Sequence, residues 1–108
     1  MGTLIYPGDQ HIFDDRLLAH LKAVITAKLR RGETFLLNLT NEPEGGTTAL
    51  WISPGIPLLY RFDDPQPIEL SRTWLDALAR SAFSARGLTP MPEGEVRDGL
   101  RHEFIQSH

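Results

Sequence analysis

Cysteine is absent from the 108 residues, which excludes a disulfide framework and a thiolate metal centre and leaves the chain indifferent to the redox state around it. Long apolar runs are absent too. The N-terminal Met1-Gly2-Thr3-Leu4-Ile5-Tyr6 has no basic flank and too short an apolar stretch for a signal peptide or a membrane span. It also lacks the Ser or Thr that a myristoylation signal carries at its sixth position. The expected location is therefore cytoplasmic, with no membrane partner. No excess of basic charge exists: 11 Lys and Arg against 14 Asp and Glu leave a formal net charge of -3. That balance argues against a general nucleic-acid coat but permits a local basic patch. Glycine-rich phosphate loops are missing as well, because Gly45-Gly46 and Pro54-Gly55 match neither the Walker nor the dinucleotide fingerprint.

What is present is the composition of an ordinary globular protein, 41% hydrophobic and 23% charged, at a length that suits one modest core. The longest periodic run is Asp14 to Gly32. Leu17, Leu18, Leu21, Val24, Ile25 and Leu29 fall on one arc of a helical wheel. Asp14 or Asp15 is placed to cap the first turn, Lys28, Arg30 and Arg31 suit the negative end of the dipole, and Gly32 suits a left-handed stop.

Around this helix the chain reads as short strands. Thr3–Tyr6 and His11–Phe13 flank a Pro7-Gly8 turn, which makes a hairpin leading into the helix. Phe35, Leu37 and Leu39 alternate along a third strand, Thr47–Ile52 is a fourth, and Leu58–Phe62 a fifth that Pro57 can only begin. Ser71 caps a second helix from Arg72 to about Phe83, with Trp74, Leu75, Leu78, Ala79 and Ala82 on one face. The predicted order is ββ-α-βββ-α in an α+β fold: a five-stranded antiparallel sheet with both helices on one face. By element order this resembles the longin and roadblock domains. Residues 1–90 are expected to form the single domain and 91–108 a flexible or weakly helical tail, in which Val96, Leu100 and Phe104 share a helical spacing interrupted by Gly94 and Gly99.

A two-layer arrangement leaves one sheet face in water. Leu36, Leu50, Ile52, Leu58, Tyr60 and Phe62 cannot all face the same helices as Phe35, Leu37, Ala49, Trp51 and Leu59. One of the two sets needs other cover; docking of the tail or pairing with a second copy would supply it, and a homodimer is the expectation. Trp51, Tyr60 and Phe62 are the interface candidates, read alternatively as plain core aromatics.

Catalytic chemistry finds little purchase. His11, His20, His102 and His108 form no i, i+4 pair and no His-Glu-x-x-His, and a zinc site needs three or four converging ligands. There is no Gly-x-Ser-x-Gly, and Ser53 precedes Pro54 in what reads as a turn. Asp14-Asp15 and Asp63-Asp64 read as a helix cap and a loop opening. No catalytic, cofactor-binding or metal residue is assigned. The first helix is basic, with no acidic residue between Arg16 and Arg31, so Lys22, Lys28, Arg30 and Arg31 are candidate contacts for an anion or a nucleic acid; the alternative is a solvated face. Lys28 stands apart because it lies inside the apolar arc. It either lays its methylenes on the core with its ammonium beyond the helix end or serves as a functional lysine.

The runs Met1–Tyr6, Asp14–Arg16, Ala19–Leu21, Ile25-Thr26-Ala27-Lys28-Leu29-Arg30-Arg31-Gly32-Glu33, Trp51-Ile52-Ser53-Pro54 and Ile56-Pro57-Leu58 resemble a family of small uncharacterised actinobacterial proteins. The resemblance covers residues 1 to about 90, and the tail after Pro92 departs from it. Members often carry the label "ATP-dependent DNA ligase". The residues give that label no support: neither Lys22 nor Lys28 opens the Lys-x-Asp-Gly motif of a nucleotidyl-transferring ligase. The resemblance implies a cytoplasmic bacterial protein with no site to carry over. Together these readings predict a non-enzymatic self-associating or protein-binding module, the alternative being a ligase-associated nucleic-acid accessory that uses the basic helix.

Overall fold

The computed structural model describes residues 1–40 and 44–96. Strands β1 (Gly2–Tyr6) and β2 (Asp9–Phe13) form the expected hairpin, turning through Pro7 and a Gly8 of φ 85°, the combination a type II turn requires. Helix α1 (Asp15–Arg30) follows, with the Asp14 carboxylate accepting from the backbone N–H groups of Arg16 and Leu17. Strands β3 (Phe35–Thr40), β4 (Thr47–Ile52) and β5 (Leu59–Phe62) and helix α2 (Arg72–Ala82) complete the named elements, and residues 93–96 open a further helical turn.

The expected single five-stranded sheet is not formed. The strands divide into a three-stranded antiparallel sheet of order β2-β1-β5 and a separate antiparallel pair, β3-β4. The reason lies between β4 and β5. Pro54 and Pro57 interrupt residues 53–58, and neither has an N–H to give a ladder, so no tight hairpin closes there. The chain instead crosses to β1, where Leu59 pairs with Ile5 and Arg61 with Thr3. The hydroxyl of Tyr6, on β1, then donates to the carbonyl of Trp51 on β4 and ties the two sheets together. The other side of β3 is taken by Leu88, whose N–H donates to Leu36 O at 2.8 Å and whose carbonyl accepts from Asn38 N at 2.9 Å, a parallel bridge.

Helix α1 is the centre of the molecule: it lies against β1 and β5 on one side and against α2 on another. Leu18, Leu21 and Ile25 of α1 are fully buried with Leu4, Leu37, Ile52, Leu78 and Leu88, so both sheets and both helices share one core. The two apolar strand sets recombine rather than dividing. Phe35 stands opposite Ile52, and Leu37 opposite Leu50, facing inward, while Leu36 and Trp51 share the outward face. Within residues 91–96, Val96 is buried and Met91 packs against the cluster. The helical reading of Leu100 and Phe104, and the rest of the tail from residue 97, lie outside the described residues.

Candidate functional site

Lys28 lies in the last turn of α1, at the edge of the core. The residue is only 8% exposed, and its ammonium sits 2.9 Å from Glu33 Oε1, near the rings of Phe83 (4.6 Å) and Phe35 (5.5 Å). The backbone sets this up. Gly32 adopts φ 73°, Gly32 N–H bonds to Leu29 O and Glu33 N–H reaches back to Lys28 O at 3.1 Å, a Schellman ending in which an ion pair replaces the usual apolar contact. Arg31 lies 3.7 Å from the same carboxylate. The hydrogen bond from Lys28 holds the Glu33 carboxyl below its ordinary range.

The four basic candidates therefore separate. Lys28 and Arg31 share Glu33 beside the α1–α2 seam, whereas Lys22 and Arg30 stand on the other side of α1 and make no ion pair among the described residues. Between Lys22 and Arg30 runs a groove of about 610 Å³. Its floor is Ala19, Ala23 and Ala27 of α1 with Phe62, Ile68 and Leu70 from β5 and the connection to α2. The Lys22 ammonium lies 5.7 Å from the Phe62 ring centre. Asp64, on the rim, turns a carboxylate oxygen back to the backbone N–H of Gln66 at 3.0 Å.

The three aromatic candidates are not brought together. Trp51 projects outward from β4 and is 53% exposed. Tyr60 and Phe62 point to the inner side of the other sheet, where Leu4 is flanked by His11 and Tyr60, and Gly2 by Phe13 and Phe62. The Tyr60 hydroxyl lies beside Thr26 without a hydrogen bond of ordinary geometry, and burial raises the tyrosine well above its ordinary value. The outward face of the three-stranded sheet carries Leu59 of β5 directly opposite Ile5 of β1, with Ile12 of β2 diagonal to Ile5; Ile12 is 68% and Leu59 50% exposed.

Two histidines gain partners that the sequence did not signal. His11 Nε2 lies 3.2 Å from Asp9 Oδ2, two residues back on the same face of β2, so period-two spacing was the available sign. His20 is fully buried. Its Nε2 accepts from the Ser71 N–H at 2.8 Å, which leaves Nδ1 to carry the proton toward Arg16 O, and its ring lies 4.3 Å from that of Trp74. Next to it the Arg16 guanidinium grips both oxygens of Glu93 at 3.0 Å and donates to Glu69 O at 2.7 Å. These contacts hold α2 and residues 91–96 on α1; they are structural. Among the described residues no three His, Asp or Glu converge as a metal site would require, and no helix is long and apolar enough to cross a membrane.

A small α+β domain wound around one central helix, with its unpaired charges and bare apolar side chains on the surface, is what fold and site define together. The chain belongs to the family described as a domain of unknown function, DUF7882, which matches residues 1–93. No curated protein and no solved structure matches the chain. The family match carries no activity, so it neither supports nor opposes the ligase label.

Proposed function

We propose that this domain is a non-enzymatic protein-contact module that pairs with a second copy of itself through the outward face of the β2-β1-β5 sheet. The observation that supports the reading is the cluster of Ile12, Ile5 and Leu59 across three strands, with Ile12 and Leu59 exposed and Ile5 half-buried between them. Its polar neighbours, Gln10 and Arg61, sit in the same two rows, so a twofold-related copy would place apolar on apolar with a polar rim around it. Sedimentation equilibrium tests this. A species of twice the 12.2 kDa chain mass is expected, returning to monomer in Leu59→Lys and Ile12→Lys. A strict monomer at submillimolar concentration overturns the reading, and so does a dimer that both substitutions leave intact.

A further inference from the structure

The groove between α1 and the β5–α2 connection lies on the other side of the sheet from the pairing surface, and its chemistry differs. We propose that it is a docking site for an acidic peptide segment of a partner protein, one with an apolar centre and carboxylates toward both ends. Three observations converge on that occupant.

The first is charge. In a chain of net charge -3, α1 carries no acidic residue between Arg16 and Arg31. Of its cations, Lys28 and Arg31 are occupied by Glu33 and Arg16 by Glu93, which leaves Lys22 and Arg30 as the cations without a carboxylate partner among the described residues. Both line this one groove. The second is spacing. Eight residues separate them along the helix, about 12 Å at 1.5 Å per residue, so they stand toward opposite ends of the groove rather than around one point. A single small anion satisfies only one of them; a segment with two separated carboxylates satisfies both. The third is the floor. Ala19, Ala23 and Ala27 present low side chains along α1, and Leu70 is 43% exposed at the edge, so a backbone can approach closely and bury apolar side chains between the two charges. The floor is aliphatic apart from Phe62, whose half-buried ring already lies near the Lys22 ammonium, and such a floor favours an apolar peptide over a run of stacked bases.

The groove is tested with the whole chain as bait for a display library of random 16-residue peptides. Peptides that combine apolar residues with at least two acidic ones are expected to be enriched, and the spacing of the acids reports the bound conformation. A fluorescent copy of the leading peptide, read by anisotropy, should bind at least tenfold more weakly to the double variant Lys22→Glu, Arg30→Glu and to the wild-type chain when salt rises from 50 to 300 mM. Both positions are exposed, so the double variant should keep its circular dichroism spectrum and melting temperature. Ala23→Arg, which fills the floor, gives a second loss of binding without touching the charges. The proposal is overturned by a library that yields no enriched sequence, by enriched peptides without acidic residues, or by affinity unchanged in the double variant. Salt-sensitive binding of an oligothymidine that the double variant abolishes, with no peptide binding, overturns it in favour of a nucleic-acid surface. Leu59→Lys leaves this groove intact, so loss of self-association and loss of peptide binding report separately.

Discussion

A lysine ammonium taken almost out of water at a helix end needs an acceptor within reach, and Glu33 supplies one only because Gly32 bends the chain back over Lys28. The pair has a pH signature. The folded-state value of Glu33 is depressed, so its contribution is complete above the ordinary carboxylate range and is lost as pH falls through the depressed value. The urea midpoint of Glu33→Gln should therefore lie below wild type at pH 7 and converge with it once pH has fallen below the ordinary carboxylate range and through the depressed value, where Glu33 itself protonates. In a Lys28→Met background the pH 7 difference should shrink to the small part that the exposed Arg31 supplies, because the main partner that distinguishes Glu from Gln is gone. The tyrosines have the opposite sign. Burial raises both Tyr6 and Tyr60, so the stability they confer is complete below the unfolded value of about 10 and is lost as pH rises through the folded values. Tyr6→Phe removes the hydrogen bond to Trp51 that joins the sheets and should cost about 1 kcal/mol at neutral pH. Tyr60→Phe should be neutral or slightly stabilising there, since its hydroxyl is desolvated without a well-formed bond, and should flatten the alkaline loss of stability measured between pH 9 and 11.

At the scale of elements, the joint between residues 83–90 and β3 is the most sensitive place in the fold. Gly87 has φ 95°, and a Cβ there would lie 2.5 Å from the carbonyl oxygen of Leu36, a backbone atom that cannot swing aside. Gly87→Ala should break the Leu88 bridge to β3 and cost about 2–3 kcal/mol, combining overpacking with positive-φ strain; thermal unfolding measures it. Gly8→Ala, also at positive φ but with open space around it, should cost less by the clash that is absent there. Nothing local marks the difference between these glycines, because the Leu36 carbonyl arrives from fifty residues away. The same limit separates what is legible in the sequence from what is not. Both helices, their caps and all five strands were legible because periodicity, Asp14, Ser71 and Gly32 act within a few residues. The partition of strands was not: whether β5 joins β4 or β1 depends on Tyr6 meeting Trp51 and on where Pro54 and Pro57 send the chain. Alternation within each strand is legible, yet the pairing of Phe35 with Ile52 puts Leu50 and Ile52 on the same side as Phe35 and Leu37, which alternation alone does not decide. The candidate site followed suit. Helical spacing located the basic residues of α1, while their division between Glu33 and an open groove depends on a connection, Asp64 to Leu70, that has no pattern of its own.

For the molecule as a whole, the question is how much chain the core requires. The apolar interior runs past Pro90: Met91 accepts the indole N–H of Trp74 at 2.9 Å through its carbonyl, Glu93 holds Arg16 with two hydrogen bonds, and Val96 is buried in the common cluster. Trp74 in turn stacks on His20, which caps the start of α2 through Ser71, so residues 91–96 close a circuit that begins at the first turns of α1. A chain ended after Pro90 keeps every named strand and helix but opens that circuit. Burial of Val96 contributes about 1.5–3 kcal/mol, and the Trp74 hydrogen bond about 1 kcal/mol more. The solvated part of the Arg16–Glu93 pair adds little to that sum. For a domain of this size a loss of about 2.5–4 kcal/mol lowers the melting temperature by roughly 10–30 °C. Scanning calorimetry of chains ended after Pro90 and after Val96 isolates the six residues between them. The shorter chain should melt lower by that interval, with Trp74 fluorescence shifted to the red as the indole is wetted. Within the full chain, Val96→Ala should account for most of the difference and Glu93→Gln for little. Equal melting temperatures for the two chains would mean that the core closes without this segment and that residues 1–90 alone are the folding unit.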